Sequence, residues 1–269
     1  MTYEMTPRAA AFFDLDRTII SGSSVFTFGY VAYRNGMLPG RDLLRDLLSA
    51  VLFQFTGASD EKSEAVKNRI LDSITGMRVD DLRHLGGDII PRLLDGVRRE
   101  ARGLIDLHDD AGRDTFIVSA SPIEIISDFA AAMGMTGALG TVAEVVNGTY
   151  TGELAEPFCF GEGKAEAIEK IAAANEYNLA LSYAYSDSGS DLPMLEAVGH
   201  PVAVNPDRAL ESVAYYRGWP IVEFSRTRKR VITRTSAGAG AAGVALAGYF
   251  LGRHHGIASV ARGVRLRRR

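Results

Sequence analysis

Three stretches of the chain pass abruptly from apolar to polar residues. They are residues 9–13, which are followed by Asp14, residues 115–118, which are followed by Ser119, and residues 179–185, which are followed by Ser186 and Asp187. Apolar runs bounded in this way predict buried strands. Between them, apolar residues recur at three- and four-residue spacing, which predicts helices. Strands that alternate with helices indicate an α/β fold with a doubly wound, mostly parallel sheet.

Helical periodicity fills the region between the first two predicted strands. The helices expected there cover 41–55, 60–74, 79–90 and 91–112. Pro91 separates the last two because proline suits the first turn of a helix. About 70 helical residues are too many for a plain crossover between neighbouring strands. We therefore expect residues 21–95 to form a helical cap, while 9–20 and 96–224 form the core.

The rest of the chain gives shorter signals. The elements expected are a helix after Pro122, an Asn147-Gly148 hairpin over 144–151, a helix from Gly161, a short strand from His200, a helix led by Pro206, and a last strand over 219–224. Asn-Gly between β-branched residues is a strong hairpin signal. Each of these elements fits the alternating α/β pattern.

Composition adds an asymmetry to this picture. The net charge is only −3, yet no acid follows Glu223, and 11 of the 30 Lys and Arg residues lie beyond it. An acidic body is thus joined to a basic tail, residues 225–269. The single cysteine, Cys159, excludes an internal disulfide, and residues 1–8 do not resemble a signal peptide. We expect a cytoplasmic protein.

The tail contains 18 uncharged residues, 235–252, flanked by basic residues. This length just reaches that of a membrane-spanning helix, although the segment is rich in Ala and Gly. Three interpretations stay open: a membrane anchor, an interfacial or packing helix, and a disordered basic tail. The basic cluster at 262–269 suits anionic lipid. No aromatic residue lies near it, so nucleic acid is not an expected partner.

The polar residues at the predicted strand ends carry the chemistry. Parallel strands bring their carboxyl ends to one edge of a sheet, where ligands bind. The groups expected to meet there are Asp14, Asp16, Ser119, Lys164, Asp187 and Asp191. Four crowded carboxylates repel one another unless a cation lies among them, and oxygen ligands favour Mg²⁺. Together with a lysine and a hydroxyl beside a helix start, they predict a site for phosphoryl chemistry.

These residues form four motifs, which are Asp14, Asp16 and Thr18 in the first, Ser119 in the second, Lys164 in the third, and Asp187 and Asp191 in the fourth. Together the four motifs resemble those of the haloacid dehalogenase-like (HAD) hydrolases. Within this family, the order and context of the motifs over residues 9–224 are similar to the phosphoserine-phosphatase-like branch, the HAD-IB type. The resemblance implies a Rossmann-like core, a helical cap after the first strand, and Mg²⁺-dependent hydrolysis of a phosphate monoester through an aspartyl-phosphate. It also implies that Asp14 is the nucleophile and Asp16 the acid/base.

Further roles follow from the same resemblance. They are phosphate binding by Ser119, the N–H of Ala120, Lys164 and Ser190, metal ligation by Asp14, the carbonyl of Asp16 and Asp187, support by Thr18 and Asp191, and substrate binding by Arg69. Two positions depart from the family pattern. Ser21 to Ser24 contain no glutamate to pair with a substrate ammonium, and Arg17 replaces the small residue common inside the first motif.

These departures leave the substrate open. The leading hypothesis is a phosphomonoesterase acting on a small or lipid-head phosphate ester. One alternative is phosphoserine phosphatase proper. The other is a non-catalytic phospho-receiver or signalling module, which also uses acids, a hydroxyl and a lysine on a doubly wound sheet. A receiver, however, needs neither a leaving-group acid such as Asp16 nor a long cap.

Overall fold

The computed structural model describes residues 8–36 and 60–224. Two predicted elements, the helix over 41–55 and the segment 235–252, lie outside the described residues. So does the whole basic tail from residue 225. Within the described part, no helix is both long enough and apolar enough to cross a membrane.

The strands form a parallel sheet and a separate hairpin. They are β1 (Ala10–Asp14), β2 (Asp114–Pro122), β3 (Gly137–Thr141), β4 (Ala143–Val146), β5 (Thr149–Leu154), β6 (Tyr183–Ser186), β7 (His200–Val204) and β8 (Ile221–Val222). Six of them pair in the order β3-β2-β1-β6-β7-β8, every pair parallel. Strands β4 and β5 pair antiparallel around Asn147 and Gly148. The predicted α/β fold with a parallel sheet is confirmed.

Helices connect and cover these strands. They are α1 (Ser24–Arg34), α2 (Asp60–Ile74), α3 (Val79–Asp95), α4 (Arg99–Asp110), α5 (Ile123–Ala132), α6 (Glu162–Asn175), α7 (Leu192–Glu196) and α8 (Arg208–Arg217). Three of them, α1 to α3, fall within the predicted cap. The boundaries of that cap stay a prediction.

The predicted helix boundary at Pro91 is wrong. Helix α3 continues through Pro91 to Asp95, and the break falls at Gly96, before α4 begins at Arg99. The reason is packing on both sides of the proline. Ile89 and Leu93 lie on one buried face of α3, each at most 2% exposed. Burying this continuous apolar stripe offsets the cost of about 3 kcal/mol that an interior proline imposes on a helix.

Three smaller differences concern the strands. Strand β3 was not predicted because Gly137 to Thr141 has little apolar content. The run from Leu179 begins as a short helical turn, so β6 starts only at Tyr183. The last predicted strand, 219–224, shortens to the two residues of β8.

The core lies on both faces of the sheet. Phe13 of β1 belongs to one buried cluster and Phe12 to the other, as expected for alternating side chains of a strand buried on both faces. The first cluster extends into α3 and α5 without interruption. The β4–β5 hairpin is hydrogen-bonded to the turn after α2, since the N–H of Gly76 donates to the carbonyl of Tyr150 at 3.0 Å. Helices α2 and α3 therefore contribute to the Phe13 cluster on one face of the sheet.

Candidate active site

Strand β1 places Asp14 at the centre of the sheet edge. Asp14 is level with Val118 of β2, and Phe13 is level with Tyr185 of β6. Ser119 and Ser186 each come one residue after those partners. The carboxyl ends of three neighbouring strands therefore present Asp14, Ser119 and Ser186 side by side, as the sequence predicted for the first two.

The chain leaves β1 through one wide turn, residues 15–19. The N–H of Ile20 closes this turn by donating to the carbonyl of Leu15 at 3.0 Å. Inside the turn, Arg17 has φ 58° and ψ −8°, the left-handed region that favours glycine. This shape carries Asp16 out of the direction of β1, so the two acids of the motif do not simply share one strand face.

A buried ion-pair cluster joins the first, third and fourth motifs. The Lys164 Nζ donates to Asp14 Oδ1 at 2.7 Å and to Asp191 Oδ2 at 2.9 Å. Ser186 Oγ donates to the same oxygen of Asp191 at 2.6 Å. All four side chains are buried, with Lys164 only 3% exposed. The sequence predicted the meeting of the charged groups but gave no role to Ser186, the first polar residue after the third apolar run.

The backbone before Lys164 allows this close approach. Lys164 lies in the first turn of α6, and a Cβ atom on Gly163 would lie 1.9 Å from the carbonyl oxygen of Phe158. Only glycine fits there. The tight Phe158–Gly163 loop thus directs Lys164 toward the sheet edge. A lysine at a helix N-terminus opposes the helix dipole, and here the two carboxylates compensate for that opposition.

Asp16 is bound at the start of α1. The backbone N–H of Ser24 donates to Asp16 Oδ1 at 2.7 Å, and Ser23 Oγ donates to Oδ2 at 2.9 Å. Burial raises the pKa of Asp16 above its ordinary value, although these hydrogen bonds act in the opposite direction. The carboxyl group is thus fixed in orientation and is easier to protonate than a solvated aspartate. Both properties suit an acid/base group.

Burial and the neighbouring charges shift the pKa values of Asp14 and Lys164. Burial raises the pKa of Asp14 well above its ordinary range, opposed by Lys164 and reinforced by the neighbouring acids Asp191 and Asp187. Burial alone would lower the pKa of Lys164, but its attraction to Asp14 and Asp191 raises it above the ordinary value. The lysine is therefore a fixed positive charge.

Arg17 pairs with Asp187, a contact that the sequence did not predict. Both Nε and Nη2 of Arg17 reach the same oxygen, Oδ2, of Asp187. Burial raises the pKa of Asp187 to about 7, against the lowering effect of Arg17. The left-handed backbone at Arg17 sends its side chain back toward the end of β6, and residue patterns do not reveal such a turn.

The remaining predicted residues lie at or near the same edge. Ser119 is buried, and its Oγ accepts from the N–H of Ser121 at 3.2 Å. Thr141 Oγ1 donates to the carbonyl of Ala120 at 2.7 Å, which fixes the irregular end of β2. Ser190 Oγ lies 3.0 Å from Ser188 Oγ.

Two further predictions have a different outcome. Thr18 is 1% exposed, and its hydroxyl has no hydrogen-bond partner among residues 8–36 and 60–224. Arg69 lies in α2, but its side chain falls outside what the structure describes. The predicted contact between Arg69 and a substrate therefore stays a prediction.

Asp207 was missed by sequence reasoning, yet it holds the loop that carries Asp187. Its carboxylate accepts from the N–H groups of Gly189 at 3.0 Å and Leu210 at 2.8 Å. Its own N–H donates to the carbonyl of Asp187 at 2.7 Å. The predicted start of this helix at Pro206 is wrong, because α8 begins at Arg208 with Asp207 as its N-cap, an ordinary role for aspartate. Nothing in the sequence indicates that it also bonds the preceding motif.

The donor set fits a divalent cation in charge and chemistry. Four carboxylates, those of Asp14, Asp16, Asp187 and Asp191, face two cations, Lys164 and Arg17, which leaves two negative charges uncompensated when all are ionised. In the described part of the chain, no three acidic, histidine or cysteine side chains form a ready metal centre. The set implied by the resemblance needs only two side chains, with a backbone carbonyl as the third ligand.

The fold and this edge of charged residues define an α/β protein with a candidate active site at the carboxyl end of its central strand. The chain matches the family model described as "haloacid dehalogenase-like hydrolase" over residues 11–196. It belongs to that family, and the prediction of a hydrolytic enzyme is confirmed.

Individual relatives agree with this assignment. The chain is 43% identical over 220 residues to a probable phosphatase of Mycobacterium tuberculosis, covering 81% of this chain and 76% of the relative. It is 40% identical over 243 residues to a phosphoserine phosphatase of the same organism, covering 89% and 79%. A solved Bordetella pertussis protein of unknown function is similar with a TM-score of 0.70 and 26% identity, covering 80% of this chain and 98% of that one. The resemblance to the phosphoserine-phosphatase-like branch is confirmed.

Proposed function

We propose that this protein is a Mg²⁺-dependent phosphomonoester hydrolase that acts through an aspartyl-phosphate on Asp14. The observation that carries the proposal is the buried contact of Asp14 with Lys164, 2.7 Å long, at the end of the central strand. A carboxylate held there by a fixed cation is placed to attack an anionic phosphate without prohibitive repulsion. The expected substrate is a small or lipid-head phosphate ester.

The chemistry has two steps. In the first, an oxygen of Asp14 forms a bond to phosphorus, the ester P–O bond breaks, and Asp16 gives its proton to the departing alkoxide. In the second, Asp16 takes a proton from water, whose oxygen bonds to phosphorus as the bond to Asp14 breaks. Free phosphate leaves and Asp14 is regenerated.

Each remaining group supports one part of this scheme. Lys164, Ser119, the N–H of Ala120 and Ser190 are assigned to the phosphate oxygens, and Asp191 holds Lys164 in position. The hydrogen bonds from Ser23 and Ser24 orient Asp16, while its raised pKa favours the protonated form needed first. Asp14, Asp187 and the carbonyl of Asp16 are assigned to Mg²⁺, which when bound neutralises charge on the phosphoryl oxygens.

Trapping the intermediate tests this proposal. Wild-type enzyme quenched in acid during turnover of a ³²P-labelled ester should retain label that hydroxylamine releases, as expected for an acyl phosphate. Asp14→Asn should retain none, and Asp16→Asn should turn over at least about 100-fold more slowly. Asp110→Asn, an exposed aspartate at the end of α4, is the matched control and should behave like wild type. Label that survives hydroxylamine and maps to a serine would refute the aspartyl-phosphate.

The substrate has a second candidate. The relative named phosphoserine phosphatase is 40% identical, which favours phosphoserine. The segment Ser21 to Ser24 contains no carboxylate for its ammonium group, and a lost charge-assisted hydrogen bond costs about 1.5–3 kcal/mol. We expect phosphoserine to be hydrolysed with a kcat/KM at least about tenfold below the best ester in a panel that includes lysophosphatidate. A clear preference for phosphoserine would decide for the second candidate.

The basic tail supports a separate proposal, association of a cytoplasmic enzyme with anionic membranes. Residues 225–269 hold 11 basic residues and no acid, and each base near anionic lipid contributes about 1 kcal/mol. The full chain should sediment with phosphatidylserine vesicles at low salt, whereas a chain ending at Ser225 should not. Retention of the full chain at 1 M salt would indicate a spanning helix, because screening removes purely electrostatic attachment at that concentration. A full chain that stays in the supernatant at low salt would refute the proposal.

A further inference from the structure

Arg17 occupies a backbone conformation that disfavours any side chain. Its φ of 58° lies in the left-handed region, where a residue with a Cβ pays about 1–2 kcal/mol. A glycine would fill the turn at no such cost, and the N–H of this residue, which donates to the carbonyl of Gly22 at 3.0 Å, would be kept. A strained position that holds a long cationic side chain indicates that the side chain itself has a role.

The side chain ends on Asp187 alone among the acids of the cluster. Two guanidinium nitrogens, Nε and Nη2, contact the same Oδ2 atom. The side chain of Asp187 is 5% exposed, whereas that of Arg17 is 36% exposed. One partner is thus fixed in the protein interior, and the other has a route to solvent.

Lys164 and Arg17 pair with different acids of the cluster. Lys164 bonds Asp14 and Asp191, so Asp187 depends on Arg17 for its counter-charge. A divalent cation bound to Asp187 would lie beside the guanidinium, and two cations at contact distance repel strongly in a buried setting. Arg17 and the metal are therefore alternatives at this carboxylate.

We infer that Arg17 is a displaceable internal counter-ion of Asp187, which competes with the divalent cation for that carboxylate and so sets the cation affinity of the site. The inference rests on the proposed function, because it takes Asp187 as a ligand of Mg²⁺. In the metal-free protein, Arg17 stabilises the buried acid. On metal binding, its side chain moves toward solvent and leaves Asp187 to the ion.

Arg17→Gln separates this role from the backbone strain. Glutamine keeps a long polar side chain and the same left-handed penalty, but it removes the charge. We expect Arg17→Gln to bind Mg²⁺ about tenfold more tightly than wild type in calorimetric titration of the full chain, equivalent to about 1.4 kcal/mol. Arg17→Lys keeps the charge but loses the forked guanidinium contact, so its Mg²⁺ affinity should lie between those of wild type and Arg17→Gln.

Stability without metal gives a second readout that does not depend on turnover. In EDTA, Arg17→Gln should melt below wild type because Asp187 loses its counter-ion. Saturating Mg²⁺ should reduce or abolish that difference. Arg208→Gln, which removes an exposed arginine at the start of α8, is the control and should change neither the affinity nor the melting temperature.

The outcomes distinguish this inference from the proposed function. Suppose that Asp187→Asn abolishes Mg²⁺ binding, but Arg17→Gln leaves the Mg²⁺ affinity unchanged or lowers it. This result would overturn the inference, while Asp187 would still be a metal ligand. If the melting temperature of Arg17→Gln lies equally far below that of wild type with and without Mg²⁺, the inference is overturned too. That result would indicate a purely structural ion pair. Absence of Mg²⁺ binding in wild type would overturn both.

Discussion

Replacing Lys164 by methionine tests the charge balance of the site most directly. Methionine nearly matches the lysine stem in length but cannot pair with Asp14 at 2.7 Å or Asp191 at 2.9 Å. Two buried carboxylates would then face each other without a cation. Breaking a buried pair by removing one partner costs about 3–5 kcal/mol. We expect the lower end of that range, because Asp14, whose pKa is already raised by burial, can take up a proton.

A loss of about 3 kcal/mol lowers the melting temperature of a domain of this size by about 6–12 °C. The measurement is equilibrium denaturation in EDTA at neutral pH, for Lys164→Met, Asp191→Asn and the double variant. Since the two groups are in contact, the double variant should lose less than the sum of the single losses, by about 1–3 kcal/mol. Turnover with Mg²⁺ should also fall about 100- to 1,000-fold, the usual effect of removing one electrostatic donor.

Lys170→Met is the matched control on the same helix. Lys170 pairs with Glu156 at 2.8 Å, but its side chain is 70% exposed, so its loss should change stability by less than about 1 kcal/mol. If Lys164→Met cost no more than this control, or if its effect simply added to that of Asp191→Asn, the buried cluster would not hold the site together and the reasoning would fail.

Three further predictions follow from the described residues. His108 is buried, its Nε2 lies 2.8 Å from the hydroxyl of Tyr185, and burial, reinforced by Arg113, lowers its pKa to about 3. Below a pH of about 6.5 it binds a proton in the unfolded state but stays neutral in the folded state, so its contribution to stability is lost as the pH falls toward 3. His108→Gln should therefore reduce the slope of the free energy of unfolding against pH in this range, by up to about 1.4 kcal/mol per pH unit. An unchanged slope would contradict this. Pro91→Ala should raise the melting temperature, because it restores a backbone hydrogen bond inside α3 at a cost only in unfolded-state entropy; a lower melting temperature would show that the ring packs productively. Gly163→Ala should reduce soluble, folded protein and turnover together, since its Cβ would lie 1.9 Å from the Phe158 carbonyl oxygen; wild-type melting and kinetics would show that the loop yields without moving Lys164.

The fold was largely predictable because its strands are short apolar runs that end in polar residues. β1 is buried along its whole length, and such a strand produces a clear sequence signal. The errors occurred where packing overrides local preference. At Pro91, a buried stripe in α3 outweighs the proline, and at β3, pairing with β2 makes a strand of a glycine-containing segment. Neither tertiary effect is visible in a single sequence.

For the candidate site, the sequence located charged groups but not their partners. Parallel topology is enough to bring Asp14, Lys164 and Asp191 to one edge. The contact of Arg17 with Asp187 depends on one left-handed residue, and the contact of Asp207 with the Asp187 loop depends on where α8 begins. Such contacts follow from dihedral angles that composition and spacing do not determine.

The partners of the four acids differ, and the differences match the roles proposed for them. Asp14 and Asp191 share a lysine that stays charged throughout, so the nucleophile always has a cation beside it. Asp16 has no lysine or arginine partner among the described contacts and is held by the uncharged donors Ser23 and Ser24, which leaves it free to gain and lose a proton. Asp187 pairs with an arginine whose side chain is 36% exposed and which we infer to give way to the metal. The proposed reaction uses three such environments. The nucleophile has a fixed cation, the proton-transfer group has neutral donors, and the metal ligand has an exchangeable cation.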